Sequence, residues 1–105
     1  MPAHPLSNQY IDIHSHHLSG EKEVFRIYNL YVSDIPEATP DYPVSLGIHP
    51  WHLSAYPDLE EDLEILKNYS KNDHVLAIGE AGLDKIVRTA MEEQIRVFTI
   101  QAKCA

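Results

Sequence analysis

The sequence is poor in the features that mark small secreted or membrane proteins. Of its 105 residues only Cys104 is a cysteine, so no disulfide closes within the chain and a disulfide-stapled fold is excluded. Cys104 itself reads as a helix residue in a reducing cytosol rather than a nucleophile. No stretch reaches the roughly 18 consecutive apolar residues of a membrane span, and the opening MPAHPLSNQ lacks the basic-then-apolar order of a signal peptide. A soluble, cytoplasmic protein without a membrane partner is expected. Basic residues are also scarce: 8 Lys and Arg stand against 16 Asp and Glu, a formal net charge of −8. An acidic surface repels phosphate backbones instead of releasing their counterions, which excludes tight non-specific nucleic-acid binding. If DNA is a substrate, local cations have to help. The length fits one small domain, with 44% hydrophobic residues for a modest core, and there is no internal repeat.

What the chain has in quantity is histidine, seven in all. Imidazole is the commonest metal ligand and titrates near neutrality, so the positions of these residues matter. Residues 1–9 carry two prolines and no periodicity, the pattern of a loose leader before a single unit over residues 10–105. Tyr10-Ile11-Asp12-Ile13-His14 alternates at the period of a strand, isoleucines to one side and Asp12 and His14 to the other. A second strand is predicted from residue 24 to about 32 in VFRIYNLYV, rich in β-formers. The connection between them, residues 17–23, is too short for a helical crossover, so either the first helix is missing or the pairing is irregular. Residues 33–43, with three prolines, read as a loop feeding a third strand over 44–48 that stops at Pro50.

Pro57 suits a helix first turn, and Leu59, Leu63, Leu66 and Tyr69 form a stripe opposite Glu60, Glu61 and Glu64, as in an amphipathic helix. Residues 74–78, HVLAI, have the look of a buried parallel strand. A second helix is expected from Thr89, with a Thr89–Glu92 capping box and a buried stripe of Met91, Ile95, Phe98 and Ala102. Strand, helix, strand, helix implies parallel strands with right-handed crossovers, an α/β fold.

Candidate chemistry sits at strand ends. Asp12, His14 and His16 share parity, so they leave one face of the first strand at spacings that let two imidazoles converge on one ion. By itself a His-x-His is a weak signal, and His-Ser-His-His also fits a solvated turn. In Ser45-Leu46-Gly47-Ile48-His49-Pro50-Trp51-His52, Leu46 and Ile48 share one face and Ser45, Gly47 and His49 the other. His49 then emerges at the C-terminal end of its strand, where α/β folds place chemistry, and suits a phosphate contact. The bland alternative has it capping the strand while Trp51 fills a core edge. In Ala77-Ile78-Gly79-Glu80-Ala81-Gly82-Leu83-Asp84 the glycines permit a tight turn or close backbone approach. Glu80, if more than an acidic loop residue, is placed to bridge two cations. Three strand ends obeying one rule of location make coincidence the weaker explanation.

The blocks YIDIHSHH, SLGIHPWH and AIGEAGLD, in that order, resemble the first three signature blocks of the TatD-related metal-dependent hydrolases, the TatD deoxyribonuclease family of amidohydrolase-like barrels. The likeness spans about residues 10–102, including the helix MEEQIRVFTIQA. It implies a partial (β/α) TIM barrel: the first three to four parallel strands with two helices, the C-terminal half absent, since such barrels run to about 250 residues. It also implies two divalent ions, zinc, manganese or magnesium, activating water against a phosphodiester, with DNA as the usual substrate. By that resemblance His14 and His16 hold one ion, Glu80 bridges to the second, and His49 and Asp84 support the catalytic Glu80. Asp12 would orient an imidazole by accepting its ring N–H. Two further histidines and an aspartate are expected from later strands, so the 105-residue chain is expected to be inactive alone. Two other readings stay open: a non-catalytic, metal-binding or self-associating barrel remnant, and an amidohydrolase acting on amides or lactones.

Overall fold

The structure, a computed structural model, describes residues 4–17, 22–35, 41–55 and 58–105. The strands are β1 (Tyr10–Ser15), β2 (Val24–Tyr31), β3 (Val44–Gly47) and β4 (Val75–Ile78), and the helices are α1 (Leu59–Tyr69) and α2 (Met91–Cys104). The strands form one sheet in the order β1-β2-β3-β4, every neighbouring pair parallel. Four parallel strands carried with two helices make an α/β fold, part of a TIM barrel.

The core lies between the sheet and the two helices. Leu46 and Ile48 point into it together with Leu30, Val44, Leu63, Leu66 and Val97, all at most 4% exposed. The stripe on α1 packs as its spacing predicts, with Leu59 and Tyr69 flanking the buried Leu63 and Leu66. The helix is started by Asp58, whose carboxylate accepts from the Glu61 N–H at 3.1 Å and satisfies one of its unpaired first-turn donors. The expected role of Pro57 lies outside the described residues.

The abbreviated first crossover has a visible consequence. β1 and β2 are parallel, and their register slips between Asp12 and Ser15, so the pairing is indeed irregular. Asp12 lies opposite Arg26 and is tied to it at 2.7 Å.

Helix α2 departs from expectation. It begins at Met91 with Ala90 as a cap lacking any side-chain hydrogen bond, so the Thr89–Glu92 capping box does not form. Its buried face is Gln94, Val97 and Gln101, whereas Ile95 and Phe98 are 47% and 40% exposed. Hydrophobicity alone turns the helix the wrong way. Both glutamines are buried because each bonds backbone groups through its amide oxygen and nitrogen, which offsets the usual penalty for burying an amide. β4 is also more open than a central strand: it lies at the sheet edge, and Leu76 is 40% exposed.

Candidate metal centre

The side chains with chemistry gather at the C-terminal ends of the strands. β1 supplies His14 and, just past its end, His16; β2 ends on Tyr31; His49 follows β3, and Glu80 follows β4. β1 and β4 are opposite edges of the sheet, and in a flat sheet they would stand about 14 Å apart at 4.7–4.9 Å per spacing. Yet His14 Nε2 lies 2.9 Å from Glu80 Oε1, and His16 Nε2 lies 3.3 Å from the same oxygen. The segment that follows β4 therefore has to carry Glu80 back over the strand ends towards β1, as the Glu80 N–H bond to Asn29 of β2 shows.

His14 Nε2 and His16 Nε2 are themselves 3.1 Å apart. The three donor atoms thus form a nearly equilateral triangle. Metal bonds of about 2.0–2.2 Å to imidazole nitrogen and carboxylate oxygen set neighbouring donors roughly 2.9–3.5 Å apart around one ion. The triangle fits that spacing, and two imidazoles with one carboxylate are a donor set suited to a divalent ion. Among the described residues, His14, His16 and Glu80 form the cluster whose ligand atoms are close enough to share an ion.

Glu80 is positioned by the strand beside it. Its backbone N–H donates to Asn29 Oδ1 at 3.1 Å, and the same oxygen accepts from Ser45 Oγ at 3.2 Å. Gly79 N–H donates to the Leu46 carbonyl at 2.9 Å, which draws the chain after β4 across β3. There it lies on Gly47, where a Cβ would come within 2.6 Å of the Gly79 carbonyl carbon and 2.7 Å of the Glu80 oxygen. The close approach therefore depends on Gly47. Gly79 and Gly82, the glycines singled out from the sequence, have room for a side chain and no left-handed backbone.

His49 approaches the other carboxylate oxygen, Nε2 to Oε2 at 3.3 Å. Its Nδ1 accepts from the Trp51 backbone N–H at 3.0 Å, so in the neutral ring the proton sits on Nε2, the nitrogen nearer Glu80. His49 thus stands beside the carboxylate, outside the three-residue cluster. Behind it, Gln101 clamps the strand end from the helix. Its Oε1 accepts from Ile48 N–H at 2.7 Å and its Nε2 donates to the Ile48 carbonyl at 3.1 Å.

Asp84 is held apart from the triangle. One carboxylate oxygen takes the Trp51 indole N–H at 2.5 Å, the other the Ile86 N–H at 2.8 Å. These two bonds, with His49 nearby, hold its pKa below the ordinary aspartate value, the Ile86 bond contributing most. Gln94 fixes its backbone at both ends, accepting from Asp84 N–H at 2.8 Å and donating to its carbonyl at 3.1 Å. Asp12 likewise does not orient an imidazole ring: Oδ1 accepts the His14 backbone N–H at 3.2 Å, and Oδ2 is taken by Arg26. The register slip after Asp12 separates it from the ligands. Trp51, offered as a core-edge filler, is 64% exposed.

Sequence reasoning passed over Tyr31, His52, Gln94, Gln101 and Gly47. The Tyr31 ring lies 5.0 Å from that of His52 and 6.5 Å from that of His16. Burial, then the neighbouring Glu80 carboxylate, raises its pKa and keeps the hydroxyl protonated. The strand-end rule, applied to β2 as it was to the other strands, would have found Tyr31.

Barrel-type α/β topology with imidazoles and a carboxylate converging at strand ends defines the class, a barrel protein with a candidate metal centre. A family model described as TatD related DNase matches residues 27–105, three quarters of the sequence, and the chain belongs to that family. It is thus a TatD-type hydrolase at the level of family, and the family is in general metal-dependent. The match contains His49, Glu80 and Asp84 and leaves His14 and His16 outside, so these two stand on their geometry. No curated protein matches the chain.

Proposed function

We propose that the chain carries part of a phosphodiester-hydrolysing site, with DNA as substrate and with His14, His16 and Glu80 as ligands of one divalent ion. The observation that carries this reading is the donor triangle of 2.9, 3.1 and 3.3 Å drawn from opposite edges of the sheet. When bound, such an ion supplies Lewis-acid chemistry, withdrawing charge from a phosphoryl oxygen and acidifying a water. The residues of the chain do the rest. Glu80 presents Oε1 to the two imidazoles and Oε2 to His49, which borders the place an incoming phosphate would take. Local positive charge there offsets the repulsion of DNA by a surface of net charge −8.

A second ion bridged by Glu80 would need further donors, and the described residues offer one cluster. The 105-residue chain is therefore expected to bind metal without appreciable cleavage, and a version extended through further barrel strands to cleave. The test is manganese-dependent cleavage of short DNA by both versions, each beside its Glu80→Gln variant. Cleavage by the extended protein that survives Glu80→Gln contradicts the proposal. Amide and lactone substrates offered to the same metal-loaded preparation decide between phosphorus and carbon centres. A non-catalytic, self-associating role is favoured only by the open face of β1, where Ile11 and Ile13 are 58% and 73% exposed; sedimentation at increasing concentration checks it.

A further inference from the structure

Beside the triangle lies a cleft of about 340 Å³ lined by His49, Trp51, Glu80, Leu83 and Asp84 among others. Its volume falls at the small end of small-molecule sites, about 300–1,000 Å³, enough for a single nucleotide-sized group. One wall of it is unusual. An indole is a large apolar surface that proteins bury or use at interfaces, yet Trp51 leaves 64% of itself in water.

Trp51 is exposed but fixed. Its N–H is committed to Asp84 Oδ2 at 2.5 Å, and Asp84 is anchored in turn by Ile86 and by the buried Gln94. Its ring also meets His49 edge-on, with centroids 5.0 Å apart at 72°. With the polar handle occupied, what remains for a ligand is the apolar ring, in a cleft that the half-exposed Leu83 also lines. The carboxylate of Asp84 beside it disfavours an anion at this end of the cleft. A group that is flat and uncharged is accepted here, while the phosphate belongs at the other end, beside His14, His16 and Glu80.

We infer that Trp51 is a stacking platform for the base of the nucleotide adjacent to the scissile phosphate, held in position by Asp84. The inference rests on the phosphodiester reading above and assigns the part of the substrate that the metal centre does not touch. Stacking of a base on an aromatic side chain tolerates any sequence, because every base has a π face.

Trp51 is the chain's single tryptophan beside six tyrosines, so fluorescence excited at the red edge, where only indole absorbs, reports on this wall alone. The zinc-loaded chain is titrated with a short single-stranded thymidine oligonucleotide and with an abasic oligonucleotide of equal length and charge. The expected result is quenching by the first and at least about fivefold weaker binding of the second, the lower end of what one stacked base contributes. Anisotropy of labelled oligonucleotides extends the comparison to variants: Trp51→Ala should lose the discrimination and Trp51→Phe should keep most of it. Because Trp51 is largely exposed, neither change threatens the core. Equal affinity for the two oligonucleotides, or discrimination intact in Trp51→Ala, overturns the stacking role and leaves the phosphodiester reading standing. Binding of neither oligonucleotide by the zinc-loaded chain overturns both.

Discussion

β1 and β3 are both parallel strands that alternate along their length and deliver histidine at the C-terminal end, yet they live in different surroundings. In β3, Val44, Ser45 and Leu46 are at most 5% exposed, covered by strands on both sides and by the helices. In β1, Tyr10, Ile11 and Ile13 are 76%, 58% and 73% exposed. Alternation tells which way a side chain points; only neighbours decide whether anything covers it. The metal centre straddles the two environments. His49 and Glu80 come from the packed side, fixed by Gln101, Asn29 and the bare Cα of Gly47, while His14 and His16 come from the open edge. One half of the site is organised by packing, and the other half lies at an open edge, where an ion held as proposed would stabilise the fold by mass action.

Substitutions in the two strands should break this symmetry most sharply. Leu46→Ala empties a fully buried position and should cost about 2–5 kcal/mol in urea unfolding, whereas Ile13→Ala on β1 should stay within about 0.5 kcal/mol. Equal costs would mean that β1 is covered in solution. Gly47→Ala should cost about 1–3 kcal/mol through overpacking, and it should weaken zinc binding as well, because the new Cβ displaces the Glu80 backbone. Gln101→Leu keeps the volume and removes both bonds to Ile48, leaving a buried N–H and carbonyl unpaired. About 1–3 kcal/mol is expected, with a shift in the imidazole signals of His49 by NMR. Arg96, which joins Glu60 of α1 to Glu93 of α2, is more than a third exposed, so Arg96→Ala should change stability by less than about 1 kcal/mol.

The architecture was legible wherever the apolar pattern was the physical cause of the structure. The Leu59 to Tyr69 stripe, the Leu46 and Ile48 face and the parallel order of strands all follow from burial, and their bounds agree with the structure to within about a residue. The site was legible as far as strand-end position reached, since His14, His16, His49 and Glu80 all lie at strand ends and come together there, whereas the slip in β1 takes Asp12, assigned the same face as His14, away from them. What the pattern missed is held together by polar groups. Gln94 and Gln101 look like solvent residues until the backbone groups they satisfy are known, so the face of α2 was assigned one step around the helix. Asp84 lies in a loop and Trp51 in a short 3-10 helix (Pro50–Ala55), where no periodicity read from the sequence constrains direction, and their mutual hydrogen bond has no signature in sequence. The role of Gly47 depends on a strand 32 positions later crossing it, a contact between β3 and the end of β4 that local reasoning does not contain.

The most direct measurement is calorimetric titration of the 105-residue chain with zinc, repeated on the His14→Ala, His16→Ala double variant and on Glu80→Gln. The expected result is one ion per chain, binding abolished in the double variant and weakened by about tenfold or more in Glu80→Gln. The enthalpic signal should be accompanied by a rise in the unfolding temperature that is largest in the wild type, smaller in Glu80→Gln and absent in the double variant. Unchanged affinity in the double variant would contradict the assignment, place the ion on His4, His17 or His52 instead, and reduce the triangle at the strand ends to a hydrogen-bonded cluster.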